Sequence, residues 1–159
     1  MLIDLTDYDS KKLELEIKRY EKAISETKGI ISNLEFNKVK FELDLIEHGV
    51  TEEDVKKYVT DFIESSDNPQ KDLILLHEEL NELLESDKDY VIEDLDKLIG
   101  YAFISISIIN LEIEDYQESI SVLREKLLEL QKQQLELQER KIDEIATERK
   151  YKELLKDEN

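Results

Sequence analysis

From Ile113 to Leu155 the chain runs through a helical pattern without one Gly or Pro, and Leu13 to Leu45 holds an earlier heptad stretch of nearly equal length. Gly and Pro are the residues that most often stop a helix, so each stretch reads as one extended helix whose apolar stripe must find a cover. Two matching seams with an acidic insert between them describe a helical hairpin with something built at one end.

In the first seam Ile17, Tyr20, Ile24, Ile31, Leu34, Phe41 and Leu45 follow 3-4 spacing, with Thr27 and Lys38 as polar members of the same stripe. Asp9 and Ser10 are the expected N-caps, and His48-Gly49 the expected stop, because Gly takes the left-handed conformation that ends a helix. At a rise of 1.5 Å per residue, Leu13 to Leu45 would reach about 50 Å. The second seam runs Ile113, Tyr116, Ile120, Leu123, Leu127, Leu130 and Leu137 with Gln134 in the stripe, then drifts toward Leu135, Ile142 and Ile145. Folded antiparallel inside one chain, the seams set Leu45 near Ile113; paired between chains they give a homo-dimer instead.

Composition limits what can be built on this frame. The chain has 159 residues, 40% hydrophobic and 40% charged, with three Gly and one Pro, and these values fit an all-α protein. There is no Cys, which removes disulfides, thiolate metal sites and a cysteine nucleophile, and the two His residues, His48 and His77, are too far apart in sequence to suggest a zinc site. The acidic start Met-Leu-Ile-Asp-Leu-Thr-Asp does not look like a secretory signal, so a cytoplasmic location is expected. The apolar run Leu98 to Leu111 is broken by Gly100, Ser105, Ser107 and Asn110 and is shorter than the roughly 20 residues a membrane span needs. It reads as buried core. Lys outnumbers Arg eighteen to four, a bias that suggests an AT-rich bacterial or phage genome.

The net charge is -19, and its placement says more than its size. Residues 1–50 carry 8 Lys+Arg against 11 Asp+Glu (-3), residues 51–112 carry 5 against 17 (-12), and residues 113–159 carry 9 against 13 (-4). Such a field repels nucleic acid and anionic membranes and attracts a protein with a basic surface. Direct binding to nucleic acid or membrane is therefore not expected.

Between the seams, Thr51-Glu52-Glu53-Asp54 opens a helix as a capping box, and Val55, Tyr58, Val59, Phe62 and Ile63 form its apolar face. Ser65-Ser66-Asp67-Asn68 ends it, and Pro69, tolerated at a first helical position, starts the next. Residues 69–86 place Leu73, Leu76, Leu80, Leu83 and Leu84 on one face and Ile74 and Leu75 on the other, which suggests cover on both sides. After the turn Ser86-Asp87-Lys88-Asp89, the pattern Val91, Leu95, Leu98, Ile99, Ala102, Phe103 and Ile106 is expected to be helical from Tyr90. Phe103 to Ile108 alternates like a strand, but a lone strand would leave its backbone groups unpaired.

One constellation could carry chemistry: Glu78-Glu79-Leu80-Asn81-Glu82 on one helix and Glu93-Asp94-Leu95-Asp96 opening the next. At about 100° per residue, Glu78 and Glu82 project almost opposite Leu80 and the Leu stripe, the position of a solvated acidic face. The spelling, EExxE followed by ExxD, resembles the all-α nucleoside triphosphate pyrophosphohydrolases of the MazG type over about residues 50–122. On that resemblance Glu78, Glu79, Glu82, Glu93 and Asp96 would be ligands for Mg²⁺, an ion that favours carboxylate and water. His77 is expected to be boundary packing on the flank of the Leu stripe, without the partner a catalytic base needs, and His48 to support a helix C-terminus. No Gly-rich phosphate loop, nucleophile elbow or basic-aromatic stripe is present.

The acids also suggest a mimic of a polyanion. Duplex DNA carries a charge about every 1.7 Å of axis, and carboxylates at i and i+4 sit about 5–6 Å apart, so rows on two or three helices approximate a phosphate track. Residues 1–49 and 112–159 are thus expected to be the arms of a long antiparallel coiled-coil hairpin, and residues 50–111 a small acidic helical head. The expected function is non-enzymatic: binding, and inhibiting, another protein, as phage or mobile-element DNA mimics do to a nucleic-acid-binding host protein. Glu52, Glu53, Asp61, Glu64, Glu78, Glu82, Asp87 and Glu93 would form the partner-binding surface, with no cofactor. The alternatives are the Mg²⁺-dependent pyrophosphohydrolase and a structural spacer or assembly factor.

Overall fold

The computed structural model describes residues 5–157, and among these every regular element is an α-helix. The helices are α1 (Leu5–Glu47), α2 (Glu52–Ser65), α3 (Pro69–Ser86) and α4 (Leu95–Asp157). Two compact units result, one from residues up to Gly29 together with those from Glu118 onward, the other from Ile30–Gln117. Helices α1 and α4 belong to both. No helix among the described residues is long and apolar enough to cross a membrane.

In the first unit the heptad positions decide which side chains are covered. Ile17, Ile24 and Ile120 are buried, and Leu13, Tyr20, Thr27, Leu123, Leu127, Leu130, Gln134 and Leu137 are half-buried. Thr27 is accommodated because its hydroxyl donates to the Ala23 carbonyl one turn back, at 2.7 Å. Leu13 and Leu137 line one groove with Asp9, Lys12, Glu16, Gln133, Glu136 and Arg140 from the two helices. Exposed i,i+4 pairs such as Glu14–Lys18 (3.4 Å) decorate the outer faces and add a few tenths of a kcal/mol each. Two expectations fail here. Helix α1 already includes Leu5, so Asp9 and Ser10 lie inside it rather than capping it. The second seam does not drift onto Leu135, Ile142 and Ile145, which are 61%, 66% and 44% exposed; α4 stays helical past Leu137 without covering them.

The second unit holds the larger core. Leu45, Val50, Leu80, Ile92, Leu98, Ile99 and Ala102 are buried together, with Phe41, Val55, Tyr58, Leu76, Leu84, Tyr90 and Tyr101 packed around them. Each turn has a local cause. Gly49, at φ +74°, ends α1: its N–H donates to the Ile46 carbonyl and the Val50 N–H to the Leu45 carbonyl, both at 2.9 Å. This is the Schellman arrangement, and the Leu45 and Val50 side chains that accompany it join the core. His48 supports the same end by hydrogen bonding through Nδ1 to the Asp44 carbonyl oxygen at 2.7 Å. Thr51 and Asp54 form the expected capping box, and Asn68 caps α3 ahead of Pro69.

Helical continuity from Tyr90 is the third correction. Residues 90–94 are not helical, because the Asp94 carboxylate accepts from the backbone N–H groups of Asp96 (3.0 Å) and Lys97 (3.4 Å) and so starts α4 at Leu95. In that connection Ile92 turns inward while Val91 is 66% exposed. Ile74 and Leu75 are 43% and 50% exposed, so α3 is not covered on both sides. The run Leu98 to Leu111 is helical, and its inward side chains are buried, while Leu111 is 62% exposed. Gly100 permits the tightest approach: a Cβ there would stand 2.8 Å from the Tyr58 hydroxyl and 3.2 Å from Leu76 Cδ2.

Candidate functional site

All eight carboxylates expected to face a partner are exposed. Glu52 and Glu53 stand in the first turn of α2 beside Asp54, where the positive end of the helix dipole favours them. Asp87 caps α3 and accepts from the Asp89 N–H at 3.0 Å. These three have a local structural role. Asp61, Glu64, Glu78, Glu82 and Glu93 make no ion pair among the described residues and face solvent.

The second set of carboxylates, Glu78, Glu79, Glu82, Glu93 and Asp96, is likewise exposed. Among the described residues no three His, Asp or Glu side chains stand close enough together to hold one metal ion. Glu93 lies in the connection before α4, and Asp96 in the first turn of α4. Asp96 opens instead onto a groove of about 560 Å³ between α2 and the start of α4, shared with Asp54, Asp61 and Lys57 over Tyr58 and Phe62. The Tyr58 phenol is pushed above its ordinary pKa by burial, and then by the negative charge of Asp96 and Asp94. The Asp54 carboxyl is held below its usual range by hydrogen bonds from the Thr51 backbone and side chain.

A polar cluster that the sequence reading missed lies between α3 and α4. His77 Nε2 is 2.9 Å from Ser105 Oγ, and Asn81 Nδ2 is 3.3 Å from His77 Nδ1. The Tyr101 hydroxyl donates to Asn81 Oδ1 at 2.6 Å. Donor inventory sets the tautomer: the Asn81 amide can only donate to Nδ1, so the proton sits on Nε2 and is given to Ser105. Burial holds His77 below its ordinary pKa, with Glu78 acting the other way. His77 therefore has the partners that its isolation in the sequence denied it. Ser105 is only 6% exposed and His77, Asn81 and Tyr101 are half-buried, so the cluster is a polar joint between helices α3 and α4. The signal in the sequence is a pair of i,i+4 polar couples, His77/Asn81 and Tyr101/Ser105, on consecutive helices.

Comparison with protein-family models, with curated proteins and with solved structures gives no match.

Proposed function

We propose that this chain is a non-enzymatic interaction protein that binds, and thereby inhibits, a protein with a basic surface, in the manner of a polyanion mimic. The observation that carries this is the set of exposed carboxylates Asp61, Glu64, Glu78, Glu82 and Glu93, left without ion pairs in the stretch 51–112 whose net charge is -12. Unpaired carboxylates keep their field and steer a cationic surface toward them. The finer architecture that goes with it is an antiparallel coiled-coil hairpin presenting an acidic helical head. Pairing within each unit supports it: in the first Leu13 of α1 shares a groove with Leu137 of α4, and in the second Phe41 of α1 shares one with Ile109 of α4.

The test is recovery of partners from a host lysate by immobilised protein at low and at high salt, beside a variant with Asp61→Asn, Glu64→Gln, Glu78→Gln, Glu82→Gln and Glu93→Gln. A basic protein held at low salt, released at high salt and missed by the variant supports the proposal. Recovery of further copies of the chain alone would favour a spacer. Pyrophosphate release from nucleoside triphosphates with Mg²⁺, abolished by Glu79→Ala and Asp96→Ala, would replace it with the hydrolase.

A further inference from the structure

Helix α1 is apolar on a second face. Phe36, Val39, Leu43 and Ile46 are 63%, 46%, 51% and 65% exposed, although each is large and hydrophobic. Their spacing is 3, 4 and 3, the spacing of a coiled-coil seam, and on a helix it gathers them into one stripe nearly opposite Leu34, Phe41 and Leu45. Solitary exposed apolar residues are ordinary; four in register form a continuous ridge ready to pack against another helix.

The flanks say what kind of helix. Glu35 and Glu42, both exposed, run along the edge beside Val39 and Ile46, one heptad apart. Along the other edge stand Lys40 and Glu47, and the Lys40 ammonium lies 4.8 Å from the Phe36 ring centroid, so the face of Phe36 already accepts a cation. A second copy of this stripe is a poor fit. Parallel pairing sets Glu35 of one copy against Lys40 of the other but Glu42 against Glu47, so repulsion cancels the attraction, and antiparallel pairing about the middle puts Glu42 against Glu42 and Lys40 against Lys40.

We propose that the Phe36, Val39, Leu43, Ile46 stripe of α1 is a docking site for an amphipathic helix of a partner protein, whose apolar seam covers the stripe and whose Lys or Arg side chains meet Glu35 and Glu42. The proposal rests on the function proposed above and specifies the form in which a basic partner is held.

The experiment measures binding of two synthetic helical peptides, each of three heptads with Leu at the seam positions, one flanked by Lys and the other by Glu. The proteins are wild type, Leu43→Glu, Ile46→Asn and the control variant Glu139→Gln, whose carboxylate is exposed and lies outside both the stripe and the proposed acidic surface, each checked for unchanged helicity. The Lys-flanked peptide should bind wild type and Glu139→Gln alike, and weaken by about tenfold or more with Leu43→Glu, even though that substitution adds negative charge. Ile46→Asn should weaken it in the same direction, and the Glu-flanked peptide should not bind. Equal binding of the Lys-flanked peptide to wild type, Leu43→Glu and Ile46→Asn would overturn the docking site while leaving the acidic-surface reading standing. Absence of binding by any basic peptide even at low salt would remove both. A concentration-dependent dimer dissolved by Leu43→Glu would overturn it in favour of a second copy.

Discussion

The imidazole of His77 stacks on the phenol ring of Tyr101, with centroids 4.8 Å apart and planes 16° apart. Phe41 of α1 meets the same Tyr101 edge-on at 6.0 Å, so one aromatic contact chain links α1, α4 and α3. The hydrogen bonds of Asn81 and Ser105 fix the register of that joint, since each polar group finds its partner in one alignment only. His77→Ala should take one hydrogen-bond partner from the Ser105 hydroxyl and one from the Asn81 amide nitrogen and cost about 2 kcal/mol, whereas Tyr101→Phe, which removes one donor, should cost about 1 kcal/mol. Urea denaturation of the two variants checks the order.

His77 also gives the fold a pH dependence with a definite sign. Its pKa in the folded protein lies below the ordinary 6.5, so the unfolded chain takes up the proton more readily. The stability that depends on neutral His77 is fully present above pH 6.5 and is lost as the pH falls from there through the folded value. Glu78 on the same helix opposes the shift; α4 presents Tyr101 and Ser105, α1 reaches Tyr101 through the uncharged Phe41, and α2 brings Tyr58 to Gly100. Melting curves of wild type and His77→Gln should converge as the sample is acidified through that window, and parallel curves would contradict the assignment.

The two helical glycines should respond oppositely to alanine. At Gly29 an added Cβ meets nothing within 4 Å, so Gly29→Ala should gain about 0.5–1 kcal/mol from helix propensity. At Gly100 the Cβ would press on the Tyr58 hydroxyl and Leu76, and Gly100→Ala should cost about 1–3 kcal/mol. Adding Tyr58→Phe removes the nearest atom and should return part of the loss.

Thr51→Ala removes the cap of α2, and helix caps are worth about 1 kcal/mol. The same substitution takes away the Thr51 hydroxyl, which helps to hold the Asp54 carboxyl low, and leaves the Thr51 backbone N–H as donor to the carboxylate. Titration followed by NMR should show the Asp54 carboxyl moving back up toward its ordinary 3.8 without reaching it.

What the sequence disclosed and what it hid follow from the range of the interactions. Capping is local, and Thr51/Asp54, Pro69 and Gly49 could be read from neighbours three or four residues apart. The seam from Ile17 to Leu45 was legible because a heptad is a local repeat, and the buried residues fall on it. The end of the second seam was not legible: Leu135, Ile142 and Ile145 have a suitable pattern, but their burial depends on what lies opposite them. The non-helical link 90–94 is hidden for a similar reason, since the Asp94 cap competes with the helical spacing of Val91 and Leu95. His77 and Ser105 are 28 residues apart and declare themselves only once α3 and α4 are packed. Glu78 and Glu82 are exposed on α3, where the face opposite Leu80 is solvated.

The most direct measurement takes the partner recovered at low salt and follows its affinity for this chain as NaCl is raised, for wild type and for the variant neutralised at Asp61, Glu64, Glu78, Glu82 and Glu93. Binding to wild type should weaken steeply with salt, and the variant should bind weakly with a much shallower salt dependence. An affinity unchanged by either salt or neutralisation would contradict the account.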